Sequence, residues 1–232
     1  RVPWRAEVGA SALMSHALGR EFDGPVALCE GVGRPTRYLP QAKHVLILTA
    51  DGVRLAALES TEVRTNESVL AYPVGTLTEM PRDSELLSAE TAAAVHTHWR
   101  IALAAEAAGV MQGALDLTVA YVKDRRQFNR PLGDFQAIQH RLSACEQIVA
   151  ASYLLAMRAA HSLKPEDAAT AALYVQQHMR QVIYDCHQFT GAMGVTLEYP
   201  LHLWTYRLKV LQGERGGYAA QASALADMIW CA

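Results

Sequence analysis

The run Asp124-Arg125-Arg126-Gln127-Phe128-Asn129-Arg130-Pro131-Leu132-Gly133-Asp134-Phe135-Gln136 separates two long alanine-rich stretches. Upstream, Val95, Trp99, Ala102, Leu103, Val110, Leu117 and Tyr121 recur at steps of three and four residues up to Lys123, which predicts one long helix. Ser84 or Ser88 can cap its start, with acidic residues in the first turn. Downstream, a second helix is predicted from about Phe135 to Leu163, stopping before Pro165 because proline lacks the amide and crowds the preceding turn. A third opens at Pro165-Glu166-Asp167 and ends before Gly191, and a shorter one covers Tyr218 to Trp230. No strand is expected between Glu90 and Leu163. Such helices, joined by brief turns, predict an antiparallel four-helix bundle in which most Ala and Leu positions are core.

The organisation changes near Pro81. Before it, Val45–Thr49 and Arg54–Leu58 flank Asp51-Gly52, an Asp-Gly hairpin signal. Gly24–Cys29 and Ser68–Tyr72 read as further strands, and Pro3 with Glu7 to Leu18 as a short helix entered from a loop. The expected class is α+β, mostly α. Residues 1–80 form a leading helix plus a reduced β module, residues 81–232 form the bundle, and the break lies between Gly75 and Pro81.

Composition narrows the function. A chain of 232 residues can bury a core, and a formal charge of −2 gives no support to nucleic-acid binding. Cys29, Cys145, Cys186 and Cys231 are widely spaced, so they read as thiols of a reducing compartment and not as a disulfide frame or zinc site. No window approaches the roughly 18 apolar residues of a membrane span. No signal peptide is visible, and the cytoplasm is the expected compartment. The chain begins at Arg1 without an initiator Met, which points to a longer parent sequence.

Arg125 and Arg126 emerge at the C-terminal end of a long helix. A guanidinium there can fork onto a pyrophosphate, the contact a dinucleotide demands, or serve only as a solvated partner of the helix dipole. Phe128 and Leu132 can offer an apolar wall, and Gln136 opens the next helix.

The spacing resembles that of acyl-CoA dehydrogenases, which join two bundle helices by an Arg-x-x-Phe turn with a glutamine eight residues beyond the phenylalanine. Arg125, Phe128 and Gln136 fit it, with Gln127 and Leu132 on auxiliary contact positions. A later Gln-x-x-Gly-Gly-x-Gly segment followed by Glu-Tyr-Pro is matched by Gln188, Gly191, Gly194, Glu198, Tyr199 and Pro200, with Ala192 in place of the second glycine. The similarity covers most of residues 81–232. It implies a helical domain whose Arg125, Gln127, Phe128, Leu132, Gln136, Gln188 and Gly191 contact FAD seated mainly in a neighbouring subunit.

The departures are as informative. The family places its catalytic base in a Glu-Gly-Thr triplet, where this chain has Arg215-Gly216-Gly217, and the alternative base position aligns with Trp99. Arginine stays protonated at neutral pH, and tryptophan has no basic site. Glu214, one residue away, is the alternative candidate for a displaced base, but a one-residue slip turns a helical position by about 100°. The Arg-Asp pair before the base reads Tyr206-Arg207. The front of the chain lacks the family's flavin-contacting β-domain loop and its Trp-containing companion strand. It resembles the shortened front halves of small acyl-CoA dehydrogenase-like subunits, with Pro3 to Glu7 matching a Pro-x-x-Ala-Glu start, followed by a Gly-Pro strand and a basic-Tyr-Leu-Pro segment. Such subunits pair with a catalytic sister chain, expected as a two-plus-two heterotetramer, notably in bacterial degradation of steroid side chains.

Other constellations carry less. His96 and His98 are two apart and point to different faces of a helix, while His140, His161, His178 and His187 stand singly, so no metal site is expected. The glycines of Gly213-Glu214-Arg215-Gly216-Gly217 read as a helix break. Two readings remain. One is a subunit that lends FAD contacts to an enzyme dehydrogenating an acyl-CoA thioester at its α,β bond without supplying the base. The other is a non-catalytic scaffold on the same bundle with no flavin.

Overall fold

The computed structural model describes residues 5–58, 63–70 and 72–231, with side chains from residue 11 onward. The chain divides into two compact units, Arg1–Ala102 and Leu103–Ala232. The elements, in order, are α1 (Arg5–Leu18), β1 (Val26–Cys29), β2 (Pro35–Arg37), β3 (His44–Thr49), β4 (Gly52–Ala57), β5 (Val63–Asn66), β6 (Val74–Leu77), β7 (Glu85–Leu86), α2 (Ala89–Asp124), β8 (Arg126–Gln127), β9 (Arg130–Pro131), α3 (Gln136–Ser162), α4 (Pro165–Thr190), α5 (Leu201–Gly213) and α6 (Gly217–Trp230). The architecture is α+β and mostly helical, with a small β region ahead of a helical C-terminal bundle.

In the first unit, a four-stranded sheet has the order β1-β3-β4-β7, and a three-stranded sheet has the order β2-β6-β5. β3 and β4 form the hairpin expected around Asp51-Gly52, with Thr49 opposite Gly52. Alternation along β3 separates two cores, because successive side chains of a strand face opposite ways. Leu46 joins Met14, Val26, Val53, Leu55, Leu87, Val95 and Trp99. Val45 and Ile47 join Ala27, Cys29, Leu39, Ala56 and Leu77.

Two expectations are corrected in this unit. Among the described residues, Ser68–Tyr72 contains no strand. The strand lies at Val74–Leu77, so Gly75 belongs to a sheet and not to a break. β6 is buried at all four positions and pairs on both sides, with β2 and β5. That burial outweighs the strand-like composition of the preceding residues. Pro3 and Ala71 lie outside the described residues.

Ser88 caps α2 by accepting from the Thr91 amide at 3.2 Å. α2 runs past the division between the units and, from Leu103 onward, belongs to the bundle. α3 ends at Leu163, held in the left-handed region at φ 52 with its amide on the Ala159 carbonyl. Lys164 then leads to Pro165 at the first position of α4, where a missing amide costs nothing. Such a short link makes α3 and α4 antiparallel neighbours. α5 is a helix that the periodicity does not single out, although Leu201, Thr205, Leu208 and Leu211 are buried at helical spacing.

Candidate functional site

The connection between α2 and α3 is a miniature β-hairpin. This corrects the expectation of no strand between Glu90 and Leu163. Arg126 pairs with Pro131 and Gln127 with Arg130, around the two-residue loop Phe128-Asn129. Two-residue hairpin loops of this kind need positive φ at both central residues. Phe128 has φ 55 and Asn129 φ 65. Asparagine tolerates that region, whereas a bulky aromatic there is an outlier. The hairpin is closed by the Leu132 amide, which donates to the Arg125 carbonyl at 2.8 Å.

This geometry projects the Phe128 ring into solvent, 84% exposed. Its one aromatic contact among the described residues is an edge approach to Phe135, with centroids 6.1 Å apart. Phe135 is also covered by the Arg130 guanidinium, 3.8 Å from its centroid. Arg125, Gln127 and Gln136 are exposed, and Leu132 is half-buried. These five predicted contact residues therefore gather on one hairpin and the first residue of α3.

Gln188 and Gly191 lie at the end of α4. Since α3 starts at the hairpin and α4 runs back antiparallel to it, both return to the hairpin end of the bundle. A direct link ties the two segments. Arg141, in the second turn of α3, pairs with Asp185 of α4. The Arg141 guanidinium also lies 4.8 Å from the Phe189 ring centroid. Gln188 is exposed. Gly191 ends α4 at φ 59, its amide donating to the His187 carbonyl. Ala192, where the resembling family has glycine, is exposed and has no positive φ, so its methyl group is accommodated. A Cβ at Gly194 would overlap the Thr190 hydroxyl, so that glycine is required by packing. Tyr199 is a strut, donating to the Leu117 carbonyl at 2.8 Å with its ring edge on Tyr121. Burial, the largest cause, pushes its hydroxyl above the usual tyrosine value.

The two positions read as vacated base sites belong to other segments. Trp99 is buried in the sheet core of the first unit. Arg215 stands in a tight turn after α5 with φ 57 and ψ 35. The Gln176 amide donates to the carbonyls of Leu211 and Glu214, each at 2.8 Å, and Gln221 donates to the Arg215 carbonyl at 3.3 Å. Gln176 precedes Gln188 on α4 by a rise of roughly 18 Å. Gln188 and the Glu214-Arg215 turn are thus at different heights of one bundle.

Sequence reading missed the Arg141, Cys145 and Asp185 cluster. Cys145 Sγ donates to Asp185 Oδ2 at 3.3 Å. Burial first, and then the Asp185 carboxylate, raise its thiol far above the usual cysteine value, so it is inert. Among the described residues, no three His, Cys, Asp or Glu side chains come together to hold a metal ion. His98 binds the Ala94 carbonyl and His16 through its two ring nitrogens. No described helix is long and apolar enough to cross a membrane.

A protein-family model for the acyl-CoA dehydrogenase C-terminal domain matches residues 90–229. The acyl-CoA dehydrogenase IpdE2 of Mycobacterium tuberculosis is 34% identical over 142 residues, covering 59% of this chain and 45% of that protein. A solved structure of a Tcur3481–Tcur3483 steroid ACAD variant superposes with a TM-score of 0.74 at 26% identity, over 88% of this chain and 62% of that one. The ChsE4–ChsE5 complex from Mycobacterium tuberculosis gives 0.68 at 22% identity over 90% and 64%, a likeness of fold. The chain spans less than half the length of the curated relatives it matches.

Proposed function

Because the chain belongs to the acyl-CoA dehydrogenase family, we propose that it is a subunit of a heteromeric, FAD-dependent acyl-CoA dehydrogenase, lending cofactor contacts to a catalytic sister chain and leaving proton abstraction to it. The observation that carries this reading is Phe128. An almost fully exposed aromatic in a left-handed hairpin position gains little from its own chain, and such strain clusters at sites completed by a ligand or partner.

The residues present fit FAD. Arg125 offers a forked cation for the pyrophosphate, Phe128 and Leu132 an apolar wall, and Gln127, Gln136 and Gln188 amides for the nucleotide's polar groups. Gly191 presents open backbone at the end of α4, where an added Cβ would meet no atom within 4 Å. FAD, when bound, supplies the two-electron acceptor for α,β-dehydrogenation of an acyl-CoA thioester. The chain's own part is to bind and orient. Arg215 cannot accept the α-proton, and Trp99 is buried and without a basic site. The partner's carboxylate therefore acts as the general base. The name of the Tcur3481–Tcur3483 steroid ACAD supports a steroid CoA ester as substrate class, and its two parts, like those of the ChsE4–ChsE5 complex, support a heteromeric assembly, for which we propose a two-plus-two arrangement.

The test is co-expression with an adjacent acyl-CoA dehydrogenase gene, followed by an absorbance scan of the purified assembly. A flavin spectrum in the assembly and none in the chain alone is expected. A flavin-free assembly would leave the scaffold reading standing.

A further inference from the structure

We propose that Arg141 and Asp185 form a positioning pair that fixes the spacing between the two cofactor-contacting segments, a proposal that rests on the reading of those segments given above. Arg141 follows Gln136 by five residues on α3, and Asp185 precedes Gln188 by three on α4. The Asp185 side chain is 3% exposed, while that of Arg141 is 43% exposed. A carboxylate taken out of water is costly unless paired and hydrogen-bonded. Both of its oxygens are occupied, one by the Arg141 guanidinium and the other by the Cys145 thiol. Arg141 and Cys145 are four residues apart, so one face of α3 holds both oxygens of Asp185.

The same guanidinium lies against the rings of Phe189, at 4.8 Å, and Tyr184, at 5.6 Å. Phe189 is the chain neighbour of Gln188. A planar cation held between a buried carboxylate and an aromatic ring has few alternative placements, so it sets both distance and rotation between the helices. Apolar packing would hold the helices together as well as a buried ion pair does. A directional pair is of use where register matters, and here that is the end at which Gln136 and Gln188 must face one ligand. At the opposite end, α3 and α4 are joined covalently by Leu163-Lys164, and the Arg158–Asp167 bridge there has a 71% exposed arginine. Exposed bridges of that kind contribute little.

The test uses the flavin-loaded assembly of the full chain with its partner subunit, and measures the FAD dissociation constant, the melting temperature and steady-state rates. Arg141→Met and Asp185→Asn should each weaken FAD by about tenfold or more, since small misplacements of binding groups are expensive. The double variant should be no worse than the weaker single, as expected for residues acting as one unit. At saturating FAD, kcat and the KM for acyl-CoA should return to wild-type values. Arg158→Met, at the far end, should change none of these. Arg141→Lys keeps the charge but not the planar stack, and should show a smaller loss of FAD affinity even if Arg141→Met fails to fold. An FAD affinity within about twofold of wild type in Arg141→Lys, alongside a lowered melting temperature, would make the pair merely structural and overturn the proposal. Losses that multiply in the double variant would overturn it too. A wild-type assembly that binds no FAD is a separate outcome, because it removes the functional reading and this proposal with it.

Discussion

The side-chain amide of Gln176, midway along α4, donates at 2.8 Å to the backbone carbonyl of Glu214. With its second donation to Leu211, also at 2.8 Å, it fixes the turn in which a displaced catalytic carboxylate would have to move. Glycines at 213, 216 and 217 give the segment backbone freedom, but the Gln176 and Gln221 bonds restrain it on both sides.

Glu214→Gln in the assembled enzyme should therefore leave acyl-CoA dehydrogenation within about threefold of wild type. Loss of a positioned general base would cost about 10²–10⁴-fold. Steady-state rates, with FAD content checked first, decide between them. A thousandfold loss with normal flavin loading would place the active site in this subunit.

Phe128→Gly should separate stability from function. The left-handed position costs a bulky residue about 1–2 kcal/mol, and glycine's entropic penalty offsets about 0.5–1 of that. Little packing is lost from an 84% exposed ring. Denaturant unfolding should show unchanged or slightly higher stability, by up to about 1 kcal/mol. FAD retention by the assembly should fall. A clear loss of stability would mean that the ring packs within its own chain.

Gly113→Ala should destabilise the bundle. An added Cβ would meet the Trp204 ring at 2.7 Å, where α2 and α5 approach closely. The gain in helix propensity is about 1 kcal/mol, against about 1–3 kcal/mol for forcing a packed contact apart. A lower melting temperature is expected, and a rise would show that Trp204 swings aside freely.

His187 predicts the direction of one pH dependence. Burial, the largest cause, holds its imidazole below the ordinary histidine value of 6.5. Between the lowered folded value and the ordinary one, the unfolded chain binds more protons, so stability rises with pH. The contribution is fully present above the ordinary value and is lost as pH falls through the folded one. Melting temperatures from about pH 7.5 down to about pH 5 should decline, and less steeply in His187→Gln. Equal slopes in the two proteins would contradict this.

Much of the architecture was legible because its signals are local. Pro165 and Gly191 bound α4, Ser88 caps α2, and Asp51-Gly52 marks the β3–β4 hairpin. The second hairpin was not legible, because Phe128-Asn129 lacks the glycine that advertises such a loop. α5 was not singled out, because Trp204 and Tyr206, of middling helix propensity, interrupt the helical spacing of Leu201, Thr205, Leu208 and Leu211. Arg141 and Asp185 are 44 residues apart, and nothing local to either announces the other.

On the proposed function, this chain lends a grip on FAD and does not hold the cofactor alone. FAD per chain should be measured on the purified chain, on the co-expressed assembly and on the assembly carrying Arg125→Ala. In that order the expected results are essentially none, a full complement, and a flavin weakened by roughly 2–5 kcal/mol, the scale for truncating one partner of a desolvated charge pair. Stoichiometric FAD on the isolated chain, or undiminished affinity in the Arg125→Ala assembly, would contradict it.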